Sequence, residues 1–340
     1  MVLHDFTNNQ LTRLLGIRFP VIMAPMFLVS NERMMQEAML HGIMGVFPSL
    51  NFREKGALPA LLDGLNKFKQ TNQTTGSFGV NLIVQKTNVL YKEHLEHCVA
   101  ARVPFFITSL GNPEEVIHRA HAYGAKVFCD VTNLKHAEKC ASLGCDGFIA
   151  VGQGAGGHAG PHPLSVLIPA LRRDFPNIPV VAAGGIATGA GILSALSLGA
   201  VGASIGTLFI TSEEANVGMA YKTAIVDSGV DDIVMTERLS GTPCSIIETP
   251  YSKRIGYKQN ALERLLSKSN VTKKYFKALV HLRGLQRLEK AIKPGNYNNL
   301  WCAGKSSELV TEIKTISKIV EELELDLREA FENLSKSFKS

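Results

Sequence analysis

The sequence predicts an α/β fold: a (β/α)8 TIM barrel with a small, mostly helical cap domain near the C-terminus. Three observations carry that prediction. Eight short apolar runs, at 21–24, 43–47, 78–82, 105–108, 127–131, 148–151, 180–183 and 203–205, show no polar alternation, as expected of parallel strands buried on both faces. Amphipathic helical stretches alternate with them at 31–40, 58–68, 89–101, 114–123, 134–143, 164–174 and 189–198. Glycine-rich segments follow the sixth, seventh and eighth runs, at the rim where barrels place their ligand sites. Eight β/α steps over about 200 residues fit a closed barrel better than an open sheet.

The helix boundaries have local causes. Ser30 is a candidate N-cap for the first helix of the alternation, and Thr188 for the last. Asn112-Pro113-Glu114-Glu115 combines a cap, a proline and first-turn acids. Gly42, Gly124, Gly144 and Gly199 stand where helices end, suited to the left-handed C′ position. Past the eighth strand, Thr211-Ser212-Glu213-Glu214 reads as the first turn of a helix reaching about Ser228. The barrel is therefore assigned to 1–228. Residues 229–305 are expected to form the cap, irregular over 235–257 and helical over 260–266 and 273–291. Residues 306–340 read as one long helix (307–336) returning to the barrel, with Val310, Ile313, Ile316, Ile319, Val320 and Leu323 on one side.

Composition narrows the function classes. The 340 residues are 45% hydrophobic and 19% charged, with a formal net charge of +6. No apolar run approaches the roughly 20 residues that cross a bilayer. The first ten residues also lack the apolar core of a secretory signal. A cytoplasmic protein with no membrane partner is expected. Six cysteines without C-x-x-C spacing read as buried, reduced thiols rather than a metal site. The positive charge is concentrated: 251–300 holds twelve Lys or Arg against Glu263 and Glu289, so the remainder is net negative. That stretch is a solvated helical face, or a surface that attracts a nucleotide phosphate, an anionic substrate or an acidic carrier protein. Without aromatic interleaving it does not indicate nucleic acid.

The glycine loops carry the chemistry. Residues 151–160 read VGQGAGGHAG, and so many glycines are costly unless something needs close backbone approach or positive φ. Strands that empty into such loops lay N–H groups against a flat or anionic ligand. His158 is the only side chain in the loop able to move a proton near neutral pH. His162, between Pro161 and Pro163, reads as an ordinary loop residue. Together the three loops point to a phosphate-bearing cofactor beside a histidine.

VIMAPM at 21–26, GQGAGGHAG at 152–160, AAGGI at 182–186 and IGTLFITSEEA at 205–215 together resemble the nitronate monooxygenase family of FMN-dependent barrel enzymes. The family was formerly called 2-nitropropane dioxygenases and is related to flavin-dependent enoyl-acyl-carrier-protein reductases and NAD(P)H:quinone reductases. The resemblance implies FMN across the barrel mouth. Its phosphate would lie on the N–H groups of Gly184, Gly185, Gly206 and Thr207, with a further bond from the Thr207 hydroxyl. Ala24, Pro25 and Met26 would run beside the ring, and Asn81 would meet a polar edge. Lys126 would stabilise the reduced flavin from the pyrimidine side. Gln153 and Gly157 would contact the ring or the ribityl chain, and His158 matches the active-site histidine. Many relatives carry an acid two positions before the GGH; here Gly154 and Ala155 leave the loop bare, with room for a bulkier ligand.

The reaction implied is oxidation of an alkyl nitronate with dioxygen, His158 acting as base or anion anchor. The alternative is an NAD(P)H-dependent flavin reductase acting on a quinone or an enoyl thioester. A flavin-free phosphate-binding isomerase or lyase is more remote, with Asp130 and Asp146 its only nearby acids.

Overall fold

The structure is a computed structural model that describes residues 6, 8–85, 87–237, 243–258 and 300–338. Eight parallel strands, β1 (Val21–Met23), β2 (Met44–Pro48), β3 (Ser77–Ile83), β4 (Phe105–Ser109), β5 (Lys126–Val131), β6 (Gly147–Val151), β7 (Val180–Ala183) and β8 (Gly202–Ile205), close in sequence order into a barrel. Pairing of Val21 with Ala203 joins β1 to β8 and leaves no edge.

Alternate residues of each strand serve two cores. Ile22, Met44, Val46, Phe105, Ile107, Phe128, Ile149 and Val181 fill the barrel interior. Leu11 and Leu15 of helix α1 (Gln10–Leu15) join that cluster and close its N-terminal end. The other face of each strand packs Phe47, Phe78, Phe106, Val127 and Phe148 under the surrounding helices. These are α2 (Glu32–Leu40), α3 (Ala57–Thr71), α4 (Tyr91–Ala100), α5 (Glu114–His121), α6 (Leu134–Ser142), α7 (Leu164–Asp174) and α8 (Gly189–Ser197). The four expected C′ glycines all adopt positive φ, from 79° at Gly42 to 100° at Gly199. Thr188 caps α8, accepting from the Gly191 N–H. The first cap differs from expectation: Asn31 caps α2, while the Ser30 hydroxyl accepts from the Met26 N–H at 3.0 Å and braces the loop after β1.

The segment after β8 is not one helix. It forms α9 (Thr207–Ile210) and α10 (Met219–Val226). The two acids between them do other work: Glu214 accepts from the Ile316 N–H at 3.0 Å, and the Glu213 carbonyl from Lys222. Residues 233–236 and 244–247 hold order that composition hid. Strands β9 (Ile233–Thr236) and β10 (Cys244–Ile247) pair antiparallel, Ile247 opposite Ile233, before α11 (Pro250–Ile255). Both expected cap helices, and most of the basic stretch, lie outside the described residues.

The last helix, α12 (Ile316–Ser337), starts later than the 307 predicted, after a 3-10 turn at Lys305–Leu309 and a Thr315 cap. Val310 and Ile313 therefore lie outside it. It docks on α8 so closely that a Cβ on Gly189 would come within 2.0 Å of the Leu327 nitrogen. Arg18 pairs with Glu324 at 2.6 Å alongside. Among the described residues no helix is long and apolar enough to cross a membrane.

Candidate functional site

The C-terminal ends of the strands open into a cavity of about 1260 Å³. Ten of the twelve residues singled out from sequence line it: Ala24, Pro25, Met26, Asn81, Gly157, His158, Gly184, Gly185, Gly206 and Thr207. Two do not. Lys126 opens β5 at the opposite end of the barrel, where its ammonium pairs with Asp146 at 3.0 Å. Because β5 runs inward from that end, a lysine at its first residue cannot reach the mouth. Asp146 precedes β6 and is anchored there too, accepting from the Val127 N–H at 2.9 Å. Gln153 is exposed outside the cavity lining, its N–H bonded to the His162 carbonyl at 2.9 Å.

The loops after β7 and β8 form a bare cradle. Gly184 and Gly185 adopt φ of 106° and 77°, conformations costly for any residue with a Cβ. A Cβ at Gly184 would also stand 2.6 Å from the Ala155 nitrogen. The N–H groups of Gly184, Gly185, Gly206 and Thr207 meet no acceptor among the described residues. Gly185 is exposed and Gly184 and Gly206 half-buried at the cavity mouth, so these donors are open to an incoming anion. The Thr207 hydroxyl accepts from the Gly304 N–H at 2.9 Å, which leaves its own hydrogen to donate.

The histidine loop is held by chain that lies far away in sequence. Gly157 and Ser245 bridge the loop to β10, and the Lys305 N–H donates to the Gly154 carbonyl at 3.0 Å. Cβ atoms on Gly156 or Gly304 would meet opposing backbone at 2.8 Å and 2.5 Å. Much of the glycine density in 151–160 therefore serves contact with 303–305 as well as a ligand. That segment is itself fixed: Trp301 stacks on Tyr221 at 5.4 Å, and the Tyr221 hydroxyl donates to the Cys302 carbonyl.

On the facing wall Asn81 and Asp130, named separately from sequence, join Ser109 in a polar arc that sequence did not show. Two residues beyond the inward-facing Ile107, Phe128 and Ile149 stand Ser109, Asp130 and Val151, the next layer up. Ala24, Pro48, Asn81, Ala183 and Ser204 complete that layer, and all eight line the cavity. Asn81 donates to the Ile107 carbonyl at 3.1 Å and to Ser109 Oγ at 2.8 Å. Ser109 in turn donates to Asp130 Oδ2 at 2.5 Å. With both amide hydrogens spent, Asn81 offers its carbonyl oxygen to a ligand. Burial pushes the Asp130 carboxyl up to about 6, against the opposing pull of the Ser109 bond. A single acid among apolar residues in a strand leaves no periodic signal. Only register, which sets Ser109 beside Asp130, brings the arc together.

A family model described as nitronate monooxygenase matches residues 63–326. A Mycobacterium tuberculosis protein named (3aS,4S,5R,7aS)-5-hydroxy-7a-methyl-1-oxo-octahydro-1H-indene-4-carboxyl-CoA dehydrogenase is 31% identical over 73% of this chain and 68% of its own length. A probable nitronate monooxygenase of Staphylococcus aureus is 27% identical over 69% of this chain and 77% of its own. Among solved structures, FabK from Thermotoga maritima superposes with a TM-score of 0.81 at 27% identity, covering 97% of this chain and 99% of that one.

Proposed function

Since the chain belongs to the nitronate monooxygenase family, we propose that it is an FMN-dependent oxidoreductase that oxidises alkyl nitronates with dioxygen at His158. The observation that carries this reading is one cavity holding both the unpaired N–H cluster and that histidine. The residues present fit FMN. Gly184, Gly185, Gly206 and Thr207 would hold its phosphate, Ala24 to Met26 would flank the ring, and the Asn81 carbonyl would accept from a ring N–H. When bound, the flavin supplies a two-electron acceptor that dioxygen can reoxidise.

His158 does the proton work. Neutral, it takes an α-proton from a nitroalkane; protonated, it anchors the nitro oxygens of a nitronate. Ala24, Pro48, Val151 and Ala183 give the cavity an apolar surface on the strand side.

A second reading has its own support. The cavity, about 1260 Å³, exceeds the roughly 300–1,000 Å³ that holds one drug-sized ligand. It has space for the cofactor and a bulky partner beside the bare Gly154–Ala155 stretch. A relative named as a carboxyl-CoA dehydrogenase agrees with an acyl thioester in that space. NAD(P)H or an acidic carrier protein would then be the reductant or the substrate's carrier.

Anaerobic visible spectra of the FMN-loaded protein separate the two. Bleaching by a nitronate alone supports the first. Bleaching by NADH or NADPH, reversed by an enoyl thioester, moves the assignment to the second. A protein that takes up no FMN ends both.

A further inference from the structure

The layer of side chains at the barrel mouth is where a flat ligand would rest, and its charge is the reverse of that expected from sequence. A cation at the pyrimidine side was expected from Lys126, which lies at the other end of the barrel. The group standing at the top of β5 is a carboxyl, Asp130. Its Oδ2 accepts from Ser109 at 2.5 Å. Its other oxygen has no donor among the described residues, and no Lys, Arg or His there forms an ion pair with it. Through Ser109 it is joined to Asn81, whose carbonyl oxygen is the acceptor offered to the ring. Asn81, Ser109 and Asp130 come from three successive strands and form one hydrogen-bonded run.

We propose that Asp130 is a tuning residue of the flavin site, whose carboxylate disfavours the electron-rich reduced ring and holds its midpoint potential down. The inference rests on the flavin reading above. Its physical basis is that charge near the ring is one of the levers by which a protein sets flavin electronics. Such a charge acts strongly where water is excluded. The Asn81–Ser109 run fixes where the carboxyl stands, so its distance to a bound ring is set by the barrel rather than by a mobile loop.

The Ser109 hydroxyl on β4 faces Asp130, and the Cys140 thiol on α6 is near enough to feel its charge. His136 and Lys139 of α6, and His158, line the same cavity. Asp130 is ionised above about pH 6, so its influence is greatest in mildly alkaline solution.

The test is the midpoint potential of FMN-loaded wild type, Asp130→Asn and Asp130→Glu, measured against a reference dye at pH 8 and pH 5. Asp130→Asn should raise the reduced-to-oxidised flavin ratio at fixed dye potential about tenfold at pH 8. That is about 30 mV for a two-electron couple. The difference should shrink at pH 5, and Asp130→Glu should stay near wild type. Full FMN content with an unchanged potential in Asp130→Asn overturns the inference while leaving the flavin reading intact. If Asp130→Asn melts normally but loses FMN, Asp130 holds the cofactor rather than tuning it and the inference falls. If both variants fail to fold, the carboxyl is a structural part of the barrel and the inference falls. Failure of the wild type to bind FMN would instead reject the underlying reading.

Discussion

Gly157 and Ser245 exchange two backbone hydrogen bonds, Ser245 N–H to the Gly157 carbonyl at 2.7 Å and Gly157 N–H to the Ser245 carbonyl at 3.2 Å. The residue next to His158 is thereby joined to a strand 88 positions later in the chain. Because the Ser245 N–H points to the loop, it takes no part in the β9–β10 ladder. Ser245→Pro should therefore remove one loop bond and spare the hairpin pairing. A displacement of about 1 Å at a catalytic group can cost on the order of 10²-fold in rate. We expect turnover to fall by about that factor with FMN affinity little changed. Steady-state kinetics and flavin fluorescence titration check it, and unaltered turnover would show that the hairpin does not position the histidine.

His158→Asn keeps a polar side chain of similar size and removes the titratable ring. Proton transfer by a positioned side chain contributes about 10²–10⁴-fold, so turnover of a neutral nitroalkane should drop within that range while FMN stays bound. Nitroalkane and nitronate oxidation both retained at full rate by the variant would take the histidine out of the mechanism.

Gly185 offers a way to probe the phosphate cradle by charge. A Cβ there meets nothing closer than Gly154 Cα at 3.8 Å, although φ is 77°, a value Asp tolerates better than most residues. Gly185→Asp should weaken FMN binding at least tenfold and riboflavin binding far less, because only FMN brings a phosphate to the carboxylate. Equal loss of both ligands would point to backbone strain instead.

How much of this was legible follows from which physics writes itself into local sequence. The barrel was legible because two-sided burial leaves unbroken apolar runs, and helix ends leave glycines such as Gly124 and Gly144. The cradle was legible because Gly184 and Gly185 have a backbone conformation few other residues accept. Lys126 was misplaced because the resemblance was carried over on local likeness alone, although a residue that opens β5 lies at the end of the barrel opposite the mouth. The β9–β10 pair was missed because each strand has only four residues, too few to outvote nearby Gly and Pro. Asp130 and Ser109 became a site only through register, a long-range property.

Asp130 also makes stability depend on pH. Its folded value, pushed up to about 6, lies above the ordinary 3.8 of the unfolded chain. Between those values the native state binds more protons than the unfolded one, so stability falls as pH rises through that window. The full contribution is at most about 3 kcal/mol, at 1.36 kcal/mol per unit. Asp130→Asn should therefore make the flavin-free protein more stable at pH 8, by about 1–3 kcal/mol, and little different at pH 4. Urea unfolding at the two pH values measures this. Equal gains at both would assign the effect to packing rather than charge.

Docking of the last helix can be tested at a single methyl group. Gly189 begins α8 where α12 crosses it, and an added Cβ would stand 2.0 Å from the Leu327 nitrogen and 2.5 Å from the Leu323 carbonyl. Both are backbone atoms that cannot rotate aside, so one helix must move. That movement breaks the bond from the Ala190 N–H to Asp326, at 3.1 Å, and strains the packing of Leu323 and Leu327. Overpacking of this kind costs about 1–3 kcal/mol, occasionally more. Gly189→Ala should lower the melting temperature by several degrees and speed proteolysis within 316–337. The pair Gly189→Ala and Gly191→Ala separates causes, since Gly191 lies on the same helix with its nearest contacts at 3.3 Å and 3.4 Å, both side-chain atoms of Thr188 and Ile186 rather than backbone. Substitution there should be tolerated, and equal destabilisation by both would mean that α8 itself, not its contact with α12, is the weak point.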